Sequence, residues 1–234
     1  MTANTISLDL ATWTPPEQAQ PGTARSGTVD GRGADWRGLS LGDLNLQGAN
    51  LCRVDLRGTD LSQCAMDGAD LRLARYDTRT QVPQGFDLRS SGAVGPRAKL
   101  SGVFLNSTDL RGMDLRGAVM MGSYLSGADL SGALLDGVRF VGSDLRYAFL
   151  RGALCRGSRF GGCQLDFADF RGCDLSDAGL DGAESLQGAD FSQTIGLNEQ
   201  RATLLTRPYA ELDTWNPVTR QTTRASLESL QHDA

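Results

Sequence analysis

Residues 123–137 read SYLSG-ADLSG-ALLDG, three consecutive five-residue units with a leucine at the centre of each: Leu125, Leu130 and Leu135. A small residue stands two places before each leucine, and a glycine stands two places after it. A period of five matches neither the 3.6-residue period of an α-helix nor the two-residue period of a β-strand. The stretch therefore predicts a repeat architecture.

The same unit extends in both directions along the chain. An apolar residue returns every five positions from Trp36 to Tyr76 and again from Leu100 to Leu180, which gives 26 centres, all of them apolar. The residue two places before the centre is Ala, Val, Thr, Cys or Ser in 23 of the 26 units, and the exceptions are Leu39, Leu44 and Met113. One large and one small inward position per unit describe a narrow tube whose wall turns sharply near each glycine.

These units carry a family resemblance. Ala69-Asp70-Leu71-Arg72 and Ala128-Asp129-Leu130-Ser131-Gly132 resemble the A(D/N)LxG signature of pentapeptide-repeat proteins, and the pattern runs in frame over residues 34–78 and 98–193. The resemblance implies an all-β fold, the right-handed quadrilateral β-helix, with four repeats per coil and one repeat per face. The insertion in the repeat at residues 77–97 is similar to insertions in cyanobacterial members of the family.

The composition divides the chain into three parts. Residues 1–30 are rich in Pro, Thr, Gly and Gln and are predicted to form a flexible N-terminal arm. Residues 31–196 hold the repeat, interrupted by a protruding loop at 77–97 in which Phe86 is expected to pack back on the repeats. Residues 197–234 are predicted to form a C-terminal helical cap and tail, with Asn198 as the N-cap of a short helix. Residues 206–234 could complete the cap, form a homodimer contact or extend into solvent.

Residues suited to catalysis are scarce. The single histidine, His232, lies near the end of the chain, and this removes Ser-His-Asp, Cys-His and multi-histidine metal chemistry. No catalytic residue, cofactor or metal ligand is predicted. Four of the five cysteines occupy inward positions and are expected to pack as small hydrophobic residues, whereas Cys52 should point outward. The inward cysteines are Cys64, Cys155, Cys163 and Cys173.

Charge and hydropathy limit the partners and the compartment. The formal net charge of −5 argues against direct nucleic-acid binding, which requires a basic surface. No apolar run approaches the roughly 20 residues that span a bilayer, so membrane insertion is not expected. The first residues lack a charged segment followed by an apolar one, and a cytoplasmic location is therefore predicted.

Aspartate precedes and arginine follows many centres, as in Asp109-Leu110-Arg111. Such pairs predict a charge-balanced surface on which each pair contributes little to stability. Some members of the resembled family shield DNA gyrase by imitating duplex DNA, so a DNA-mimicking regulator of a type II topoisomerase is the alternative function. The interleaved arginines, the leucine-rich centres and the lack of a clear C-terminal dimerisation helix weaken that alternative.

One face departs from this charged pattern. Centres separated by one full coil of repeats share a face, and beside one such series the outward residues become aromatic, while the preceding face contributes three apolar residues. We call these seven residues the aromatic strip: Phe104, Val119, Met121, Tyr124, Val141, Tyr147 and Phe167. Because contiguous apolar patches and aromatic residues mark interaction sites, the predicted function is a non-enzymatic scaffold or regulator that binds another protein. The alternatives are ordinary surface residues or a strip covered by the loop or the tail.

Overall fold

The computed structural model describes residues 29–230 and divides into two compact units, one ending at Phe86 and one beginning at Asp87. The predicted N-terminal arm lies outside the described residues except for Val29 and Asp30, and so does His232. None of the helices within 29–230 has the length and apolar character needed to cross a membrane.

Parallel β-bridges join residues 20 positions apart in each unit. In the first unit Asp30 pairs with Asn50, and in the second Asp144 pairs with Gln164. The bridges recur every five positions, so four repeats complete one coil. The N–H of Leu145, a centre, donates to the Gln164 carbonyl of the following coil at 2.9 Å. Because one residue per repeat forms a bridge, the backbone groups are paired between coils without long strands.

The repeat centres form the core. All 26 predicted centres are buried, and the most exposed of them, Leu41, keeps 7% of its surface. The Phe140 and Phe160 rings stack inside the second unit with centroids 5.3 Å apart. Of the exceptional residues before the centres, Met113 is buried, whereas Leu39 is 38% exposed. The prediction that the centres point inward is confirmed.

Most coil corners place a residue in the left-handed region of the backbone map. Glycine occupies most of these positions, for example Gly127 with φ of 68°. Within residues 29–230, nine residues with side chains also adopt this conformation, which costs an L-residue about 1–2 kcal/mol. They are Arg53, Leu73, Arg97, Ser107, Tyr147, Phe167, Asp177, Gln193 and Arg220.

The segment 77–97 is ordered by contacts at both ends. Asp77 accepts a hydrogen bond from the Gly58 N–H at 2.9 Å, and Gln81 forms a bridge with Asp60, 21 positions away. Phe86 is half-buried, and Leu88–Ser90 form one turn of 3-10 helix. Gly95 is buried in the place of a repeat centre. Sequence analysis missed this repeat because its centre has no side chain.

The last part of the second unit contains short elements. They are α1 (Asn198–Leu204), α2 (Tyr209–Leu212), β1 (Trp215–Asn216), β2 (Gln221–Thr222) and α3 (Thr223–Glu228). Strands β1 and β2 pair antiparallel, with Trp215 opposite Thr222. The N-cap prediction for α1 is wrong by one position, because Leu197 occupies the N-cap and Asn198 is already helical.

Side chains from residues 197–230 bond the final coil. The N–H groups of three buried apolar residues have no following coil of repeats to which they can donate, and each donates to a side-chain oxygen. Leu180 donates to Gln200 at 3.0 Å, Leu186 to Glu211 at 2.5 Å and Phe191 to Ser226 at 3.1 Å. The Thr223 hydroxyl in turn donates to the Leu186 carbonyl at 2.9 Å. The C-terminal elements therefore satisfy backbone groups that a further coil would otherwise bond.

Candidate functional site

Asp-x-Arg units recur along the outer faces and carry much of their charge. In Asp109-Leu110-Arg111 the guanidinium donates from Nε to Asp109 Oδ1 at 2.9 Å and from Nη2 to Oδ2 at 2.8 Å. The same two-pronged pairing recurs along both units. In Asp70-Leu71-Arg72 the hydrogen bonds from Arg72 lower the pKa of Asp70 from 3.8 to about 2. These faces therefore carry charges of both signs that are neutralised locally.

Some arginines also neutralise an aspartate of the next coil. Asp109 and Asp129 are bridge partners, and Arg111 lies 2.8 Å from the first carboxylate and 3.7 Å from the second. Arg37 contacts the bridge partners Asp35 and Asp55 in the same way, at 2.5 and 3.8 Å. Like charges on adjacent coils are thus held together by a shared opposite charge.

Phe104 and Tyr124 form the first aromatic pair of the strip. They are bridge partners on adjacent coils, and their rings stack with centroids 4.5 Å apart and planes 5° apart. Phe104 remains 69% exposed and Tyr124 43% exposed. Both rings therefore present part of their surface to solvent. Asp144, paired with Arg146, is the next residue in their column.

Tyr147 and Phe167 form the second pair, at a different position of the repeat. Both stand two places after their centres and occupy left-handed corners, each with φ of 59°, where glycine is usual. Their rings stack with centroids 5.1 Å apart. Tyr147 is 54% exposed, whereas Phe167 is half-buried and its ring lies against Gly188. The four aromatic residues are therefore two stacked pairs in two columns.

The apolar members of the strip precede these pairs along the coil. Met121 is 42% exposed, and Val119 and Val141 are half-buried. Val119 and Met121 flank the centre Met120, and Val141 follows the centre Phe140 on the next coil. Val119 is the bridge partner of Arg139. These three residues thus lie on the repeat face before the aromatic pairs and share it with basic side chains.

Several exposed apolar residues were missed by sequence analysis. Phe149 is 37% exposed and occupies the position before a centre, as Phe104 and Tyr124 do, so the same pattern could have found it. The others lie outside the regular repeats or at their end, where no five-residue pattern assigns an outward position. They are Ile195, Tyr209, Trp215 and Val218, which are 53–76% exposed.

The cysteines follow the predicted packing. Cys64, Cys155, Cys163 and Cys173 are buried and Cys52 is partly exposed, and all five are free thiols. Burial raises the pKa of Cys163 to about 11, so its thiol stays protonated at neutral pH. Within residues 29–230 no group of three or more His, Cys, Asp and Glu side chains could hold a metal ion.

A cavity of about 410 Å³ in the first unit is lined by three arginines and the turns between them. Each arginine is already paired with a carboxylate: Arg37 with Asp35, Arg57 with Asp55, and Arg79 with Asp77. The lining holds neither a nucleophile with an adjacent base nor an uncompensated charge. Nothing in this cavity points to catalysis.

The repeat geometry agrees with a family assignment. The model of the family described as pentapeptide repeats matches eight copies, over residues 32–74, 97–132, 123–162 and 155–195. The chain belongs to the pentapeptide repeat family. Proteins of this family form right-handed quadrilateral β-helices and are generally structural or interaction proteins without enzymatic activity.

Solved structures of the same family resemble this chain. HetL, a pentapeptide repeat protein involved in heterocyst differentiation regulation in the cyanobacterium Nostoc sp., is 23% identical over 74% of this chain and 92% of its own, with a TM-score of 0.40. A pentapeptide repeat protein from the thylakoid lumen of Arabidopsis thaliana is 25% identical over 57% of this chain and 89% of its own, with a TM-score of 0.41. QnrB1, a plasmid-mediated fluoroquinolone resistance protein, is 19% identical over 76% and 96%, with a TM-score of 0.37. No curated protein sequence matches the chain.

Proposed function

We propose that this chain is a non-enzymatic protein-binding module that engages another protein through the aromatic strip. The observation that carries the proposal is the exposure of the stacked pair Phe104 and Tyr124, which keep 69% and 43% of their surface in water. Burying about 200 Å² of aromatic surface would contribute about 5 kcal/mol, at about 25 cal/mol per Å². Micromolar binding requires about 8 kcal/mol beyond the costs of association, so the neighbouring apolar residues have to be buried against the partner as well.

The stacking prepares the rings for binding. A ring held against its neighbour has already lost rotamer freedom, so a partner that contacts it does not have to order it again. Phe104 and Tyr124 are nearly parallel, and Tyr147 and Phe167 are arranged in the same way, with planes 5° apart in both pairs. Aromatic residues held in this way are typical of interface hot spots.

The charge arrangement weighs against the alternative, DNA mimicry of the kind that protects gyrase. An imitation of duplex DNA needs dense carboxylates whose charge is available to the partner. In this chain Arg37 and Arg111 each neutralise aspartates on two coils. The Asp-x-Arg faces consequently present little net negative charge to a DNA-binding surface.

The remaining parts of the proposal concern the repeat region and its surroundings. The bridges between successive coils and the family membership support a right-handed quadrilateral β-helix over residues 31–196, interrupted by the segment 77–97. The hydrogen bonds that the side-chain oxygens of Gln200, Glu211 and Ser226 accept support a C-terminal cap within 197–234.

A cytoplasmic location is supported by five free thiols, which an oxidising compartment would disfavour.

The test is a double variant, Tyr124→Asp with Tyr147→Asp. Both side chains are exposed, and aspartate tolerates the left-handed corner, so the variant should fold with an unchanged circular dichroism spectrum. It should lose the partner captured by the wild-type chain from its native host, or its self-association in sedimentation experiments. Ser131→Asp, which adds a charge on another face, is the control and should retain both. A double variant that keeps every captured partner and its oligomeric state contradicts the proposal.

A further inference from the structure

Two arginines occupy an unusual column beside the aromatic strip. Parallel bridges join Val119 to Arg139 and Arg139 to Arg159, so these residues occupy the same position on three successive coils. Adjacent strands are about 4.8 Å apart, and both arginines are exposed. Aspartate is the commonest residue at this position, as at Asp109 and Asp129. Here two like charges stand directly beside each other, an arrangement that is unfavourable when nothing compensates it.

Like charges at the same position on adjacent coils are compensated at Asp109 and Asp129. Arg111 holds Asp109 and Asp129 together across two coils, at 2.8 and 3.7 Å. By contrast, no carboxylate within residues 29–230 lies within ion-pair distance, 4.0 Å, of the guanidinium of Arg139 or Arg159. These two arginines lack the shared opposite charge that neighbouring aspartates receive elsewhere.

The acidic residues closest in the repeat do not fill this role. Asp136, on the same coil as Arg139, is engaged by Arg156 at 3.2 Å. Asp181, on the coil after Arg159, makes no ion pair with it. The charge of the two guanidinium groups is therefore available to a group from outside the described chain.

The surface beside the arginines is apolar and includes a glycine, which has no side chain. On the same three coils, the residues that follow the centres are Met121, Val141 and Gly161. Met121 is 42% exposed, and a Cβ added to Gly161 would meet nothing within 4 Å. An incoming backbone can thus approach Gly161 closely while its apolar side chains contact Met121 and Val141.

We propose that Arg139 and Arg159, with Val119, Met121, Val141 and Gly161, form a docking patch for an acidic segment of the partner protein. Carboxylates of that segment pair with the two guanidinium groups, and apolar side chains cover Met121 and Val141. Charge-assisted hydrogen bonds of this kind are stronger than neutral ones, and the fork of arginine suits a carboxylate. This proposal rests on the proposed protein-binding function and specifies the chemistry of the partner.

A protein segment fits the patch better than a nucleic acid does. The chain has a formal net charge of −5, and another column of the second unit carries Asp109, Asp129 and Asp169, with Phe149 between the last two. Two uncompensated arginines supply only two phosphate contacts, whereas a phosphate backbone extends well beyond them. A short acidic segment can match the patch without approaching the carboxylates of the other faces.

The experiment is a selection from a random peptide display library against the wild-type chain. The selected peptides are then measured by fluorescence anisotropy. Peptides enriched in Asp and Glu together with apolar residues are expected, and their affinity should fall as salt screens the charges. The double variant Arg139→Gln with Arg159→Gln should weaken them by at least about tenfold, since a neutral glutamine cannot replace the charge-assisted hydrogen bonds of arginine. Arg146→Gln, which removes an arginine already paired with Asp144, is the matched control and should change binding less than threefold.

The other outcomes separate the two proposals. One contrary result is a set of neutral or basic peptides that bind the Arg139→Gln, Arg159→Gln variant as tightly as the wild-type chain but do not bind the Tyr124→Asp, Tyr147→Asp variant. This result overturns the acidic docking patch and leaves the protein-binding function standing. A library that yields no peptide sensitive to either double variant overturns both. A single-stranded oligonucleotide that binds the wild-type chain more tightly than the acidic peptides, and is lost with the two arginines, replaces the acidic partner with a nucleic acid.

Discussion

Buried and exposed aromatic stacks in the second unit share the same construction. Phe140 and Phe160 lie on adjacent coils and stack at 5.3 Å, and Phe104 and Tyr124, also on adjacent coils, stack at 4.5 Å. The first pair is fully buried, whereas Phe104 keeps 69% of its surface exposed. The comparison teaches that the coil spacing alone produces stacking, because it places equivalent residues at ring-stacking distance. What differs is whether the stack contributes to folding or remains available for binding.

The largest effect is expected from Leu145→Asp, a substitution in the buried core of the repeats. Leu145 is fully buried, and a carboxylate in its place would lose its hydration without gaining a partner. The variant is expected not to fold, which circular dichroism and solubility would show as lost β signal and aggregation. Arg146→Asp, one position further and exposed, is the control and should fold. A soluble Leu145→Asp variant with an unchanged spectrum and melting temperature would refute the inward assignment of the centres.

A direct comparison of the stacks comes from Phe160→Ala and Phe104→Ala. The buried truncation should lower the free energy of unfolding by about 3–5 kcal/mol, since it leaves a cavity in a packed core. The exposed truncation should lower it by about 1 kcal/mol or less, because it removes one stacking contact and little burial. Urea denaturation followed by circular dichroism measures both. Equal losses would mean that the exposed stack also supports the fold.

The smallest effect should separate the two exposed pairs. Tyr147→Gly removes a stacking contact but also relieves the left-handed strain at φ of 59°, so the free energy of unfolding should stay within about 1 kcal/mol of wild type. Tyr124→Gly has no strain to relieve and adds backbone freedom to the unfolded chain, so it should destabilise by about 1–2 kcal/mol. Thermal unfolding of the two variants side by side gives the difference. If Tyr147→Gly is the more destabilising, the corner strain does not offset the stack.

The sequence predicts the core well because the five-residue period assigns an inward or outward direction to each residue locally. Leu145 and Phe160 are examples, and the direction of Cys52 follows from the same rule. The repeat centred on Gly95 could not be predicted in this way, because the rule relies on an apolar side chain at the centre. The hydrogen bonds of Glu211 and Ser226 to the final coil could not be predicted, since they depend on how an irregular segment folds over the repeats.

The sequence indicates which residues belong to the candidate site but not how they are arranged. The aromatic residues deviate from the charged pattern and can be found by inspection, but their division into two stacked pairs depends on the position that each residue takes within its repeat. Arg139 and Arg159 were overlooked, although a signal existed. They stand where Asp109 and Asp129 stand in other repeats, and they lack an acidic residue at the position that would pair them.

The spacing of the bridges has a consequence for how such a chain can evolve. The separation of bridge partners grows by one position between Asp144–Gln164 and Gln164–Ser185, and the bridges that follow, such as Asp169–Asp190, keep the new separation. A single inserted residue is therefore absorbed without disturbing the alignment of later coils. Duplication or deletion of a whole coil would likewise leave every downstream residue in its column. Loss of one five-residue repeat between Tyr124 and Tyr147 would instead move every later residue to the neighbouring face, so that surface patches survive recombination only in whole coils.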